Sequence, residues 1–175
     1  MAKGHFTALE DMSEVERRSW ATLIVDVAVF IWFWKQMTGG LAFTLIPKLS
    51  ETTASSLVGI FIGAVIATII LHAVIASVFA LRAGEDKGEK DERDIEIERK
   101  GAASGFWVLT IIINIIAVTL LMEYSASSAE GTLVEGYNPP YSFISPPHMF
   151  FALTTLTFVG DIVKNAVMVI AYRGE

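Results

Sequence analysis

The chain has 175 residues, enough for one domain and not two. It is 53% apolar and 18% charged, with a mean hydropathy of +0.54 and a net charge of −6, which excludes a disordered chain or an ordinary soluble fold. Cysteine is absent, which excludes disulfides, thiol catalysis and thiolate-held metals, and no basic stripe interleaved with aromatics is present to bind nucleic acid directly.

Residues 1–18 form a polar arm with no cleavable signal pattern. Ser13-Glu14-Val15-Glu16 fits a capping box, so a helix is expected to begin near Ser13 and run straight into the membrane. The arm reads either as a partner-binding extension or as a solvated lead-in. The first membrane segment is expected over 20–37. Trp20 stands near one end and Trp32 and Trp34 near the other, where interfacial aromatic belts lie. Gly39-Gly40 breaks it, and 41–47 is apolar but too short to span. The second segment, 55–81, is long enough to span with tilt. Its Gly59 and Gly63 form a GxxxG pattern, extended by Ala67, that serves either packing within the chain or a dimer.

Residues 82–100 form a charged connector holding fourteen of the 32 charged residues. Both flanking runs are too apolar to be anything but membrane spans, so here the chain must leave the bilayer, turn and re-enter. Glu89–Arg93, Asp94–Glu98 and Glu96–Lys100 have helical i,i+4 spacing, with mixed agreement in sign. A helix is expected from about Lys90 onward, a stalk continuous with the third segment, 101–124. That segment opens on a second GxxxG, Gly101 and Gly105, and Asn114 is its one clearly polar interior residue. The loop 125–147 has no Lys or Arg. Pro139-Pro140 and Pro146-Pro147 exclude a long helix there, and Tyr137, Tyr141 and Phe143 suit the headgroup region. The fourth segment, 148–172, contains Asp161, Lys164 and Asn165 and is followed by Arg173.

Orientation follows from Lys and Arg. Ten lie in the arm, the connector and the C-terminal end, whereas the two opposite loops offer only Lys35 and Lys48. The expectation is an all-α, polytopic, transmembrane four-helix bundle, one membrane domain over 1–175. It would be a multi-pass protein of a bacterial inner (cytoplasmic) membrane, with both termini and the connector cytoplasmic and the Pro-rich loop outside. Glu16-Arg17-Arg18-Ser19 and Glu98-Arg99-Lys100-Gly101 precede the first and third segments. Ala80-Leu81-Arg82 and Ala171-Tyr172-Arg173 close the second and fourth. The pattern reads as two parallel helical hairpins.

Intramembrane ionisable groups invite a functional hypothesis. Counting from the charged ends at 1.5 Å per residue, Asp26 lies about 10 Å deep, Lys164 about 13 Å, His72 about 15 Å and Asp161 about 18 Å. With Asn165 they form one polar layer. Lys164 is expected to pair with Asp26 across helices or with Asp161 on its own helix, with His72 facing the same interior. The layer reads as a proton or ion site, histidine being the side chain that titrates near neutral pH, or as polar glue that sets helix order. Asn114 reads as glue. His72 and His148 lie about 20 Å apart in depth, which argues against bis-histidine haem. No cofactor, metal site or catalytic constellation is expected; Ser77 is at i,i+5 from His72, off its face.

Asp91-Glu92-Arg93-Asp94, with Ile95, Ile97 and Glu98-Arg99-Lys100-Gly101, is similar to the connector of small bacterial four-helix membrane proteins of the DUF2178 type. Val163-Lys164-Asn165-Ala166-Val167 and Tyr172-Arg173 resemble the last helix of that family. The resemblance covers roughly 91–175, and the long Pro-rich outer loop departs from it. It implies four membrane helices, no established activity and a gene often encoded beside helix-turn-helix regulators. The leading functional expectation is a non-enzymatic regulatory or sensory membrane protein. Asp91, Glu92, Arg93, Asp94, Glu98 and Arg99 would engage a cytoplasmic partner, and Gly59, Gly63, Gly101 and Gly105 would serve helix packing and a homodimer. The same charges could instead bind a divalent cation or form only an ion-paired stalk. The alternative function is a small proton- or ion-coupled transporter using the polar layer.

Overall fold

A computed structural model describes residues 12, 14–43, 49, 54–82, 91–127 and 143–174. Among them are four α-helices and no strand: α1 (Glu14–Thr38), α2 (Ala54–Arg82), α3 (Glu92–Ser127) and α4 (Pro146–Arg173). All four are long and apolar enough to cross a membrane, so this is a multi-pass membrane protein by length and composition. Ser13 as a cap, most of the polar arm, residues 44–48, the Glu89–Arg93 pair and the Pro139–Tyr141 part of the outer loop lie outside the described residues.

Local chemistry sets the helix ends. α1 stops at Thr38 because Gly39 adopts φ 72°, the left-handed conformation that glycine takes without strain, and its amide donates to the Lys35 carbonyl at 2.9 Å. α3 starts where Asp91 Oδ1 accepts the Asp94 amide at 2.7 Å, an N-cap bond. Pro146 and Pro147, which the sequence placed in the loop, open α4 instead. The first helical turn needs no proline N–H, and the ring presets φ. At 36 residues α3 is about 54 Å long, well beyond the roughly 30 Å of a hydrocarbon core, so its charged first turns stand outside the apolar span.

The helices pack in the order α2, α1, α4, α3, and the two outer ones make no substantial contact with each other. Burial follows that order: 28% of the most apolar stretch of α1 and of α4 is buried, against 6% for α2 and 11% for α3. The bundle is therefore open on one side. A two-fold relating α1 to α3 and α2 to α4 would match the α1–α4 interface with one between α3 and α2, so this packing does not display the expected hairpin symmetry.

Val29, Phe33, Trp34 and Met37 of α1 meet Ala64 of α2 and Phe151 of α4 in a buried aromatic core. Phe33 stacks on Phe151 at 5.8 Å, and Trp34 lies 5.3 Å from the same ring. Trp34 is thus a core residue and not the belt residue expected; its indole Nε1 donates to the Ala42 carbonyl at 3.3 Å. Trp32 remains half-exposed and covers Gly63, where a Cβ would sit 3.1 Å from its ring. The α3–α4 contact is glycine-built. A Cβ on Gly101 would lie 2.9 Å from the Lys164 carbonyl oxygen, and one on Gly105 the same distance from that of Gly160. Gly101 and Gly105 are therefore used within the chain, whereas Gly59 faces open space.

Candidate functional site

Buried positions of α1 include Glu16, Ser19, Asp26, Val29, Phe33 and Met37, one stripe at helical spacing. Asp26 occupies a core position on that stripe and is 3% exposed, so its carboxylate needs polar partners from the neighbouring helices. Two are present. Asn165 Nδ2 of α4 donates to Asp26 Oδ2 at 2.9 Å. His72 Nε2 of α2 lies 3.1 Å from Asp26 Oδ1, an ion-pair distance at which the N–H direction is not aligned for a hydrogen bond. The same Asn165 nitrogen also reaches the Asp161 carbonyl at 3.0 Å, which fixes the amide on its own helix. Asp26 thus joins α1, α2 and α4. The His72 side chain is 35% exposed, so one partner of the sealed carboxylate reaches the surface.

The expected Lys164–Asp26 pair does not form. Lys164 is exposed and, among the described residues, makes no ion pair with Asp26 or Asp161. It lies on the α3 side of α4, with its backbone against Gly101 and its Cβ against Gly105, while Asn165, one residue on, turns toward α1. The Asp161 side chain is exposed as well. Nor does Asn114 act as glue within the chain: it is exposed, and its Nδ2 donates to the Thr110 carbonyl of its own helix at 2.7 Å.

The second cluster lies where α1 and α3 begin and α4 ends. Tyr172 Oη donates to Asp94 Oδ1 at 2.6 Å, and the Arg93 guanidinium stands 5.9 Å from the centre of the same ring. Arg173 covers Trp20 at 4.9 Å and places Nε 3.6 Å from Glu16 Oε1. The Asp-Glu-Arg-Asp connector and the terminal Tyr-Arg pair, far apart in sequence, are thereby one assembly. Ile97 is 2% exposed and anchors the stalk, while Asp91, Glu92, Glu96, Arg99 and Lys100 are exposed and Glu98 is half-buried. Of the three i,i+4 pairs, Glu96–Lys100 closes at 3.2 Å; both side chains are more than half exposed, so it contributes about 0.3–0.5 kcal/mol at most. Glu92, Arg93, Glu96, Ile97 and Lys100 line an open groove of about 450 Å³.

Glu123 was not singled out by its sequence. It is 7% exposed near the far end of α3, and Oε2 accepts the Phe143 amide at 2.8 Å, which ties the chain entering α4 to α3. An acid at the end of an apolar run with no basic residue nearby was the available signal. Among the described residues, no group of three His, Asp or Glu is placed to hold a metal ion. No family model, no curated protein and no solved structure matches the chain.

Proposed function

We propose that the protein is a non-enzymatic regulatory or sensory protein of a bacterial inner membrane, and that the charged first turns of α3 hold a cytoplasmic partner. One observation carries the reading: an exposed array of mixed charge stands beyond the apolar span and is tied to α4 and α1 through Asp94–Tyr172 and Arg173–Glu16. A docking face so tied moves with the membrane helices, as a regulator requires. The excess of Lys and Arg at this end favours a cytoplasmic location for it and for both termini. A transcription regulator as the partner rests on the family resemblance alone.

Asp91 caps α3 and Asp94 binds Tyr172, so the informative variant leaves both intact and changes the exposed Glu92, Glu96 and Arg99 to Ser. Affinity capture from mild detergent should recover a cytoplasmic protein with the native chain and lose it with this variant. Equal recovery by both, or recovery of nothing but the chain itself, refutes the docking role.

The Asp26–His72 contact favours a second reading, proton-coupled transport. A carboxylate and an imidazole in contact can hold and exchange one proton. Proteoliposomes should then show a proton flux that Asp26→Asn abolishes. Wild-type vesicles as tight as empty ones would remove this reading and leave the cluster a structural one.

A further inference from the structure

The side of α3 turned away from α4 carries a second seam. Trp107, Ile111, Asn114, Val118 and Leu121 alternate four- and three-residue steps, the a/d pattern of a coiled coil. All five are exposed. At 3.6 residues per turn they lie roughly opposite Gly101, Gly105 and Leu109, the residues that meet α4. Asn114 stands at the midpoint of the seam, about 12 Å inside the nearer end of the apolar run 101–122. One of its amide hydrogens is taken by the Thr110 carbonyl. The second amide hydrogen and the Oδ1 acceptor face hydrocarbon, which satisfies neither.

We infer that two copies of the chain pair through this face of α3, with the two Asn114 side chains bonded to each other at its centre. A two-fold axis along the membrane normal brings any residue opposite itself at the same depth. The Asn114 carbonyl of each copy then accepts an N–H from the other, and the flanking Ile111 and Val118 pack as knobs into holes. An amide is self-complementary in this way, whereas an unrelated partner would have to bring its own polar group to the same depth. The pairing is independent of the docking function. It also moves the dimer surface away from Gly101 and Gly105, which α4 occupies.

The absence of cysteine makes the test direct. Single substitutions Ile111→Cys, Val118→Cys and Leu121→Cys lie on the seam, while Phe106→Cys and Ile113→Cys, also at exposed positions, point elsewhere. Oxidation in native membranes should yield a covalent dimer of twice 19.1 kDa from the first three and not from the last two. Adding Asn114→Leu to Val118→Cys should weaken association roughly tenfold, and Asn114→Gln should largely preserve it. Equal cross-linking at Ile113 and Val118, a cross-linked product of another mass, or a yield indifferent to Asn114→Leu would each overturn the proposal. Should the Asn114 variants fold poorly, the seam's periodicity and the mass of the unsubstituted protein in mild detergent still decide: a monomer refutes it.

Discussion

The two GxxxG patterns are equivalent as sequence, but Gly105 of one is packed against α4 while Gly59 of the other is open, so the same substitution should act differently at these two positions. An alanine Cβ at position 105 would sit 2.9 Å from the Gly160 carbonyl oxygen and 3.2 Å from Lys164 Cβ. The first of these is backbone and cannot swing aside, so α3 and α4 must separate. Overpacking of this kind costs about 1–3 kcal/mol. Alanine returns about 1 kcal/mol as the better helix former, so Gly105→Ala should be destabilising by about 0–2 kcal/mol net. At Gly59 nothing lies within 4 Å of the added Cβ, so Gly59→Ala keeps only the propensity gain and should be neutral to about 1 kcal/mol stabilising. Unfolding by a denaturing detergent titrated into mild micelles, followed by circular dichroism, measures both. A Gly105→Ala protein as stable as the Gly59→Ala protein, or more so, would refute the packing account.

Other expectations concern single contacts. Asn165→Leu removes the hydrogen-bonded partner of buried Asp26 and should cost about 1–2 kcal/mol in the same titration, whereas Lys164→Met should stay within about 0.5 kcal/mol of the native protein. The reverse ranking would restore Lys164 as the partner of Asp26. Tyr172→Phe keeps the ring beneath Arg93 but deletes the bond to Asp94, so amides of the first turns of α3 should exchange faster while those of the α1–α4 core do not change. Exchange unchanged along α3 would show that the bond does not hold the stalk. Glu123→Leu leaves the Phe143 amide without its acceptor, at about 1–3 kcal/mol, and Glu123→Gln, which still offers an oxygen, should cost much less. Protease sensitivity near Phe143 separates the two, and equal sensitivity would dismiss the clamp.

Four membrane helices, their rough limits and the charged stalk were legible in the sequence. Each depends on quantities that run along the chain: the length of an apolar run against a bilayer's thickness, the break that Gly39-Gly40 imposes, and the i,i+4 spacing of charges through the connector. Depth is another such quantity, and the depth count placed Asp26, His72 and the neighbourhood of Asn165 in one layer. Direction around the helix is not. One residue changes depth by about 1.5 Å but turns the side chain by about 100°. Lys164 and Asn165 are therefore nearly equal in depth and point to different neighbours, and only the packing of α4 between α1 and α3 assigned Asp26 to Asn165. Trp32 and Trp34 divide between surface and core for the same reason, and Asn114 has the depth of helix glue but faces away from every helix of its own chain. The tertiary structure also brought the Asp-Glu-Arg-Asp connector against Tyr172. It filled one glycine pair and left Gly59 of the other open, because which helices become neighbours depends on how all four faces are buried together and not on any one segment's pattern.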